Sequence, residues 1–482
     1  MIMTFQRFFF LNLLFFIVLL ISCNSDTYNN SPYYELKFDR DTLYFDTVFQ
    51  SLGSATRAFK IYNRSEGIIV LDEIYLEKNS QSKYRFNIDG ASGPIAKNIS
   101  IRPGDSIWCF VDVKIDPQNE SLIVEDHIVF SFNTKQQRFT LRAFGQNAYY
   151  HYGEIISSSV SWQNDKPHII IDKHFGNSIV PGIYVKSGAT LTILPGCKLF
   201  FSNNAGILVG GTLKVLGDKN QKVEMGGLRL EQKYQNLAGQ WLGLLFLRNT
   251  KDNVIKYTTI DESIFGVWLG FQDKTDFNAM NDATRAEIRI LNSTIKNAYY
   301  WAIRSLNNKI VAENSQFFTS TDYLVQLVLG GIYEFTNCTF YNSQSSENKG
   351  VLWLSNRIFD NSSKKFYSNG LQSAQFSNCI FYGNASEQLD LDFDSTVLGS
   401  KNYIFNNCLY GSRSNFTNSF FKDCILNENP LFVSTAIDKE NFDLNINSPC
   451  INNGIFNNLN EDLLGRPRNV GGALDIGAFE KQ

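Results

Sequence analysis

Short runs in which apolar and polar residues alternate fill the first part of the chain, from about residue 33 to residue 150. Residues 42–45 (TLYF) and 108–113 (WCFVDV) show the alternation, and turn-forming segments such as residues 102–105 (RPGD) separate the runs. A period of two places every second side chain on the same face of a strand. The pattern therefore predicts short antiparallel strands packed as a β-sandwich.

A repeated pattern of six residues characterises the chain beyond residue 250. Each copy reads aromatic or aliphatic, any residue, Asn, small, any residue, apolar, with Tyr257 and Asp423 in place of Asn in the first and last copies. The copies occupy residues 255–260, 290–295, 312–317, 335–340, 376–381, 405–410 and 421–426. Their third positions, 257, 292, 314, 337, 378, 407 and 423, are 35, 22, 23, 41, 29 and 16 residues apart. A spacing near 22 residues is typical of one coil of a β-helix, and longer spacings fit coils that carry loops.

Stacking of the coils explains the residue types in this pattern, because each position meets its equivalent in the next coil. Asn suits a sharp corner since it tolerates left-handed backbone conformations, and we expect its amide to bond to the neighbouring coil. The residue after Asn points inward, so Cys338, Cys379 and Cys408 are predicted to be free, buried thiols. A metal site is disfavoured because these cysteines lack His partners and Cys-x-x-Cys spacing.

The segments upstream of the repeats indicate the same fold. They are residues 182–185 (GIYV), 187–193 (SGATLTI), 195–201 (PGCKLFF) and 206–213 (GILVGGTL). They resemble the opening coils of the right-handed β-helix superfamily that includes pectate lyases. The resemblance covers about residues 170–480 and implies a right-handed parallel β-helix, which we place at residues 168–430.

The C-terminal segments resemble the closing cap of bacterial surface β-helix proteins of the Bacteroidota type. These segments are residues 429–432 (NPLF), 448–452 (SPCIN) and 475–480 (DIGAFE). We place this cap at residues 431–482. In that family such residues seal the last coil, so Arg466, Arg468, Asp475 and Glu480 are interpreted as ion pairs of the cap and not as catalytic groups.

The order of segments in the N-terminal region resembles immunoglobulin-like modules found beside surface domains. Residues 45–48 (FDTV) come early, a turn from Asn63 to Gly67 follows, and the region closes on residues 141–145 (LRAFG). No Cys pair flanks Trp108 as in an antibody domain, so the resemblance implies only the sandwich architecture. The predicted fold class is therefore all-β, with an immunoglobulin-like β-sandwich at residues 33–150 before the β-helix, and the sandwich is expected to act as a spacer.

Composition and charge narrow the function. The formal net charge is −3 and the pI is near 5.9, and no cluster of Lys and Arg builds the positive face that nucleic acid requires, so no nucleic-acid partner is expected. The hydrophobic fraction of 43% and the charged fraction of 19% describe a folded protein. All four His lie at or before position 174, so chemistry in the β-helix would proceed without a histidine base.

The N-terminus predicts export. Arg7 precedes an apolar run that ends at Ile21, shorter than the roughly 20 apolar residues of a spanning helix. The run closes with Ser22-Cys23, which resembles a bacterial lipobox, so residues 1–22 are interpreted as a lipoprotein signal peptide, Cys23 as the lipid attachment site and residues 23–32 as a tether. A plain secretory signal or an uncleaved anchor is the alternative. Asn24 after the Cys favours the outer membrane, by analogy with enterobacterial sorting.

A candidate ligand-binding stripe follows from strands that come after the repeated pattern. If the side chains of Leu269, Ile303, Leu327, Leu354 and Leu391 face inward, every second neighbour faces solvent. The resulting stripe contains Trp268, Arg304, Gln326, Trp353, Asp390, Asp392 and, at its end, Asp394. Trp stacks on sugar rings, and Arg pairs bidentately with uronate carboxylates. A register shifted by one residue would instead put both Trp side chains in the core.

The stripe offers carboxylates but no familiar catalytic set. Asp390, Asp392 and Asp394 could act as acid and base, hold Ca²⁺, or form a solvated strand edge. The motifs of polygalacturonases and the Ca²⁺ and Arg signatures of pectate lyases are absent. We therefore expect no cofactor, with Ca²⁺ as the one candidate ion, and a membrane-anchored surface protein that binds polysaccharide or a surface protein without catalysis. A polysaccharide lyase or glycoside hydrolase with an atypical site is the alternative.

Overall fold

The computed structural model describes residues 27–49, 53–115, 123–175, 178–230, 232–271, 277, 282–344, 349–397, 401–413, 419–468 and 470–482. Cys23, the predicted signal peptide and the start of the predicted tether lie outside the described residues. The chain divides into two compact units, residues 1–147 and residues 148–482.

The first unit is a β-sandwich. Its strands are β1 (Lys37–Phe38), β2 (Thr42–Phe49), β3 (Arg57–Tyr62), β4 (Ile69–Leu76), β5 (Tyr84–Ile88), β6 (Ala91–Ser92), β7 (Ile95–Ile101), β8 (Ser106–Val113), β9 (Ile123–Phe132) and β10 (Lys135–Gln146). One sheet has the order β1-β3-β8-β5-β6 and the other β2-β10-β9-β4-β7. Inward side chains such as Phe59, Cys109 and Phe139 form one core, as the alternating pattern predicts.

The turn from Asn63 to Gly67 shows why Asn occurs in the sandwich. The Asn63 side chain is fully buried, and its Nδ2 donates to the carbonyl oxygens of Gly67 at 2.8 Å and Ile101 at 2.9 Å. Buried polar groups need such partners, so this side chain fixes the turn that leads from β3 in one sheet to β4 in the other. The sandwich is established, whereas the finer assignment to an immunoglobulin-like module stays a prediction.

The second unit is a parallel β-helix with three short hairpins. Its strands are β11 (Tyr149–Tyr152), β12 (Glu154–Ile156), β13 (Val160–Trp162), β14 (His168–Ile171), β15 (Lys173–Phe175), β16 (Ser178–Val180), β17 (Ile183–Val185), β18 (Thr190–Ile193), β19 (Lys198–Phe201), β20 (Gly206–Val209), β21 (Thr212–Leu216), β22 (Val223–Gly227), β23 (Gly243–Phe246), β24 (Asn253–Lys256), β25 (Thr258–Ile260), β26 (Phe265–Leu269), β27 (Glu287–Leu291), β28 (Thr294–Ala298), β29 (Trp301–Leu306), β30 (Lys309–Glu313), β31 (Gln316–Ser320), β32 (Val325–Val328), β33 (Gly331–Thr336), β34 (Thr339–Asn342), β35 (Leu352–Ser355), β36 (Arg357–Asp360), β37 (Lys365–Ser368), β38 (Leu371–Ser377), β39 (Ile380–Gly383), β40 (Leu389–Asp392), β41 (Tyr403–Asn406), β42 (Leu409–Tyr410), β43 (Phe421–Lys422), β44 (Ile425–Leu426), β45 (Phe432–Ser434) and β46 (Asn441–Leu444). Short 3-10 helices within the described residues span Asn79–Gln81, Gln232–Tyr234 and Asp282–Thr284.

Three long parallel sheets form the walls of the β-helix. Sheet 1 has 11 strands, β11-β14-β19-β22-β25-β28-β31-β34-β39-β42-β44. Sheet 2 has nine strands, β12-β17-β20-β23-β26-β29-β32-β35-β40, and sheet 3 has ten, β13-β18-β21-β24-β27-β30-β33-β38-β41-β43. The predicted fold class is confirmed, but the first coil already begins at Tyr149, upstream of the predicted start at residue 168. Residues 33–150 therefore overrun the sandwich, because the first coil continues the same alternating pattern.

The repeated Asn marks the corner between sheets 3 and 1. Asn292, Asn314, Asn337, Asn378 and Asn407 all have positive φ, between 46° and 53°. This left-handed conformation confirms the expected role of Asn at the corner. Inside the corner, Cys338, Cys379 and Cys408 are free and fully buried, as predicted. Phenylalanine rings stack beside them in the core, with Phe376 and Phe405 4.6 Å apart.

The amides of this Asn column bind the C-terminal tail more often than the neighbouring coil, which corrects the expectation. The side-chain Nδ2 atoms of Asn292, Asn314 and Asn407 donate to the carbonyl oxygens of Asp462, Glu461 and Asn453 at 3.1, 2.8 and 3.0 Å. The tail thus runs back along the column towards earlier coils. The corner amides face outward, so a segment that crosses several coils satisfies them.

The tail carries ion pairs, as predicted, and the pair of Arg468 with Glu480 is buried. Arg466 contacts Asp443 at 2.5 Å and Asp462 at 2.7 Å, and Arg468 contacts Glu480 at 3.4 Å. Asp475 differs from the prediction, because it accepts the backbone N–H groups of Asn452 and Lys481 at 2.8 and 2.6 Å.

Apolar tail residues cover the outer face of sheet 1 in the later coils. Phe432, Phe442 and Ile476 pack there against Phe318 and Tyr341. Within the described part of the chain, no helix combines the length and the apolar character that a membrane crossing requires.

Candidate surface on sheet 2

The predicted stripe forms a column on the outer face of sheet 2. Trp268 pairs with Arg304, Arg304 with Gln326, Gln326 with Trp353 and Trp353 with Asp390 in adjacent strands. Leu269, Leu327 and Leu354 in the same strands are fully buried in the core of the β-helix. The register inferred from the inward Leu residues is therefore the one the structure adopts. Whether the column binds a ligand stays a prediction.

The column is less exposed than its outward position implies. A small apolar cluster of Leu306, Val328, Leu329 and Ile358 lies outside the helix core, and Trp268 and Trp353 pack against it half-buried. Gln326 is only 4% exposed, which corrects the prediction that it faces solvent. Ile358 belongs to the β36–β37 hairpin, an insertion that the strand pattern does not reveal.

Arg304 is the electrostatic centre of the column. Its guanidinium carbon lies 4.9 Å from the ring centroid of Trp268 and 4.3 Å from that of Trp301. Burial lowers the pKa of Arg304 to about 10, so the group stays charged at neutral pH. Among the described residues, the buried Nε–H of Arg304 and the buried Nε1–H of Trp268 have no hydrogen-bond partner. Two adjacent buried donors without acceptors cost free energy.

Residues that the strand pattern does not predict surround one side of Arg304. Asp322, just before β32, accepts from Trp301 Nε1 at 3.1 Å and Gln326 Nε2 at 3.3 Å, and lies 3.3 Å from Lys349 Nζ. Lys349 also lies over the ring of Tyr323, 4.7 Å from its centroid. These residues come from loops beside the strands, where no periodicity indicates which side chains converge.

The three predicted aspartates do not form one carboxylate row. Asp390 accepts the Tyr323 hydroxyl at 2.5 Å, and Asp392 pairs with Arg357, whose Nε lies 2.9 Å from its Oδ1. Asp394 lies beyond the end of β40 and accepts the Thr396 hydroxyl at 2.6 Å. That hydrogen bond is the main cause of the lowered pKa of Asp394.

A multidentate metal centre finds no support around these aspartates. Among the described residues, no group of three or more His, Cys, Asp or Glu side chains is arranged to hold a metal ion. The carboxylates are used separately, in hydrogen bonds and one ion pair. A Ca²⁺ ion, which needs six to eight oxygen ligands, would have to compete with those partners.

Exposed aromatic rings flank the column on both sides. Tyr299 and Tyr300 are 46% and 41% exposed before β29, and Phe359 and Phe366 of the hairpin are 41% and 59% exposed. Tyr300 stacks on Phe265 at 5.5 Å, which holds its ring beside the column. The surface thus presents aromatic faces around a half-buried cation, the combination that sugar rings with carboxylates suit.

Comparisons with known proteins give little further information. No protein-family model and no curated protein matches the chain. Among solved structures, a family 123 glycoside hydrolase from Clostridium perfringens, studied for glycolipid glycan hydrolysis, is similar with a TM-score of 0.17 and 8% identity. The similarity covers 23% of this chain and 26% of that enzyme's chain, so the chain matches about a quarter of its length.

Proposed function

We propose that the outer face of sheet 2 binds an acidic glycan and does not cleave it. The observation that carries this proposal is Arg304, a charged guanidinium between the rings of Trp268 and Trp301 whose Nε–H has no hydrogen-bond partner among the described residues. A uronate carboxylate supplies the negative charge that this guanidinium attracts. The flanking aromatic rings supply faces for stacking on the sugars.

The proposal excludes cleavage at this surface because of how its carboxylates are used. A glycosidase needs one carboxyl group as acid and a second as base or nucleophile. Asp390 and Asp392 are instead engaged by Tyr323 and Arg357, and Asp394 by Thr396.

The location and partners of the protein belong to the same proposal. We propose that Cys23 carries a lipid anchor, that the protein resides at the outer membrane facing the cell exterior, and that an immunoglobulin-like sandwich spaces the β-helix from the membrane. The lipobox-like end of the N-terminal apolar run supports the anchor. A surface polysaccharide is the proposed partner, and a surface protein is the alternative.

The test measures binding of oligogalacturonate by calorimetry. Arg304→Met, which removes the donors but keeps an unbranched stem, should weaken binding at least tenfold. Trp353→Ala should also weaken binding at least tenfold. A tenfold change in affinity corresponds to about 1.4 kcal/mol of binding free energy. The matched control is Arg289→Met, at an exposed arginine of sheet 3, and it should change binding less than twofold.

Folding of each variant is checked by circular dichroism, and Arg304→Lys provides a charged substitute if Arg304→Met unfolds. Equal loss in the Arg289→Met control, or no binding of any acidic glycan on an array, would contradict the proposal and favour a protein partner. Release of reducing sugars, or of unsaturated products absorbing in the ultraviolet, would show the surface to be catalytic.

A further inference from the structure

A cleft of about 460 Å³ opens on the outer face of sheet 1, where β22, β25 and β28 lie side by side. Phe200 and Leu230 give it an apolar wall, while Asp261 and Glu262 place two carboxyl groups beside it. It lies at earlier coils than the part of sheet 1 that the C-terminal tail covers. It is therefore separate from the surface on sheet 2.

A glycine keeps this cleft open. Gly226 pairs with Phe200 in the adjacent strand, and a Cβ placed on it would lie 3.6 Å from Glu262 Oε2. The carboxyl group of Glu262 therefore lies over a position that has no side chain. A larger residue at 226 would occupy the space in front of that carboxyl group.

Most charges around the cleft already have opposite partners. Asp261 lies 2.9 Å from Lys296 Nζ, and Glu224 lies 3.1 Å from Lys198 Nζ. The Arg229 guanidinium lies over the ring of Tyr234, 4.0 Å from its centroid.

Glu262 is the exception. Its Oε1 accepts the backbone N–H of Asn236 at 2.7 Å, and its Oε2 accepts that of Gly227 at 3.2 Å. No cationic side chain of the described residues lies within ion-pair distance of it. Burial, and then the charge of Asp261, raise the pKa of Glu262 to about 7, against smaller opposing effects of the hydrogen bonds from Asn236 and Gly227 and of the charge of Lys296. Ionising this carboxyl group is costly because it is buried, and a cation beside it would offset the cost.

We propose that this cleft binds a small organic amine, whose ammonium group pairs with the Glu262 carboxylate while its alkyl part packs on Phe200 and Leu230. An ammonium group fits better than a divalent metal ion, which needs several oxygen ligands. Backbone N–H groups already occupy a lone pair on each oxygen of Glu262. This site goes beyond the proposed glycan binding and does not depend on it.

The test titrates the full-length protein with n-pentylamine and, as the uncharged match, with 1-pentanol, following chemical shifts by NMR at pH 6 and pH 8. A primary alkylamine has a pKa near 10.4, so it stays protonated at both values. A carboxyl group with a pKa of about 7 is roughly one-tenth ionised at pH 6 and nine-tenths ionised at pH 8. Pentylamine should therefore bind about tenfold more tightly at pH 8, and pentanol at least tenfold more weakly than the amine.

Variants assign the effect to Glu262. Glu262→Gln should weaken pentylamine binding at least tenfold at pH 8 and remove its pH dependence, whereas Glu224→Gln, at the same cleft, should change binding less than twofold. Gly226→Val fills the space without changing charge and should also abolish binding, which keeps the test valid if Glu262→Gln unfolds. Equal binding of pentanol, pH-independent binding, no binding at millimolar amine, or tighter binding of calcium chloride than of the amine would overturn the proposal.

Discussion

At the scale of single residues, alternation along a strand determines the face on which a side chain lies, whereas contacts with distant segments determine its burial. Alternation with the inward Leu side chains is a local property, and it placed Trp268, Arg304 and Trp353 on the outer face correctly. The burial of Gln326 depends on neighbours such as Asp322, which accepts its amide at 3.3 Å from outside the strand. No local pattern encodes that contact. Glu262 was missed for the same reason, because its environment comes from a loop and two other strands.

Two buried histidines on adjacent strands of sheet 1, in the first two coils, determine a pH response at the scale of single residues. His151 Nε2 lies 3.0 Å from His168 Nδ1, and the Trp162 ring stacks on His168 at 4.5 Å. Burial lowers the pKa of His168 from 6.5 to about 4. In the unfolded chain His168 takes up a proton near pH 6.5, whereas in the folded protein it stays neutral until the pH approaches 4. The stability that this residue contributes is therefore present above pH 6.5 and is lost as the pH falls towards 4.

We expect the free energy of unfolding of the β-helix to fall by about 2 kcal/mol between pH 7 and pH 5 through His168 alone. Calorimetry of the wild type and of His168→Phe at both values measures this contribution, which the variant should lack. His127→Phe in the sandwich is the control and should keep the full decrease. An identical pH dependence in His168→Phe would show that this residue does not titrate between the two states.

The Asn corners and the β36–β37 hairpin illustrate the scale of elements. The spacing of the repeated pattern identified the coils because each coil must present the same residue type at the same corner. The hairpin interrupts this spacing, accounting for part of the long interval between residues 337 and 378, but its sequence does not say on which face it folds. The tail was identified only by resemblance, and its path along the Asn column follows from hydrogen bonds between residues more than 100 positions apart, such as Asn292 and Asp462.

The strength of this attachment is testable at Asn378. Its Nδ2 donates to the Ile455 carbonyl oxygen and its Oδ1 accepts the Ile455 N–H, both at 2.8 Å, while its φ is 53°. Asn378→Ala should lower the free energy of unfolding by about 2–4 kcal/mol, from two lost hydrogen bonds and a strained backbone. Asn378→Gly also loses both hydrogen bonds, but glycine adopts the left-handed conformation without strain. It should therefore lower the free energy of unfolding by roughly 1 kcal/mol less than Asn378→Ala does.

Urea unfolding followed by circular dichroism measures both changes. Asn407→Ala serves for comparison, since the Asn407 amide makes one contact with the tail, to Asn453 at 3.0 Å, and the loss should be smaller. If Asn378→Gly equals the wild type, the tail contacts at this corner contribute nothing to stability.

At the scale of the whole molecule, the chain divides near residue 147, where the sandwich gives way to coils. The predicted start of the β-helix at residue 168 lies about one coil too late, because the first coil continues the alternating pattern of the sandwich. The parallel pairing of the coils follows from the repeat, whereas the ligand and the cellular location remain proposals.

The proposed anchor is tested on whole cells. Cys23→Ala should remove the acylation site, so the protein should move from the detergent phase to the aqueous phase or accumulate unprocessed. Cys424→Ala, at a half-buried core position, should leave the partitioning unchanged. Unaltered detergent partitioning of the Cys23→Ala protein would show that another segment anchors it.

The tail that runs back along the Asn column also changes how this molecule should come apart. A stack of coils held only by neighbouring contacts can fray one repeat at a time from its end. Here the tail binds Asn314, which lies several coils before the last. Arg468 Nη2 donates to Asn314 Oδ1 at 2.7 Å, and Asn314 Nδ2 donates to the Glu461 carbonyl oxygen at 2.8 Å. The terminal coil therefore cannot peel away while the tail stays attached, and detaching the tail exposes many coils at once. The β-helix should therefore unfold cooperatively, and the kinetic barrier to unfolding should be set by the release of the C-terminal tail.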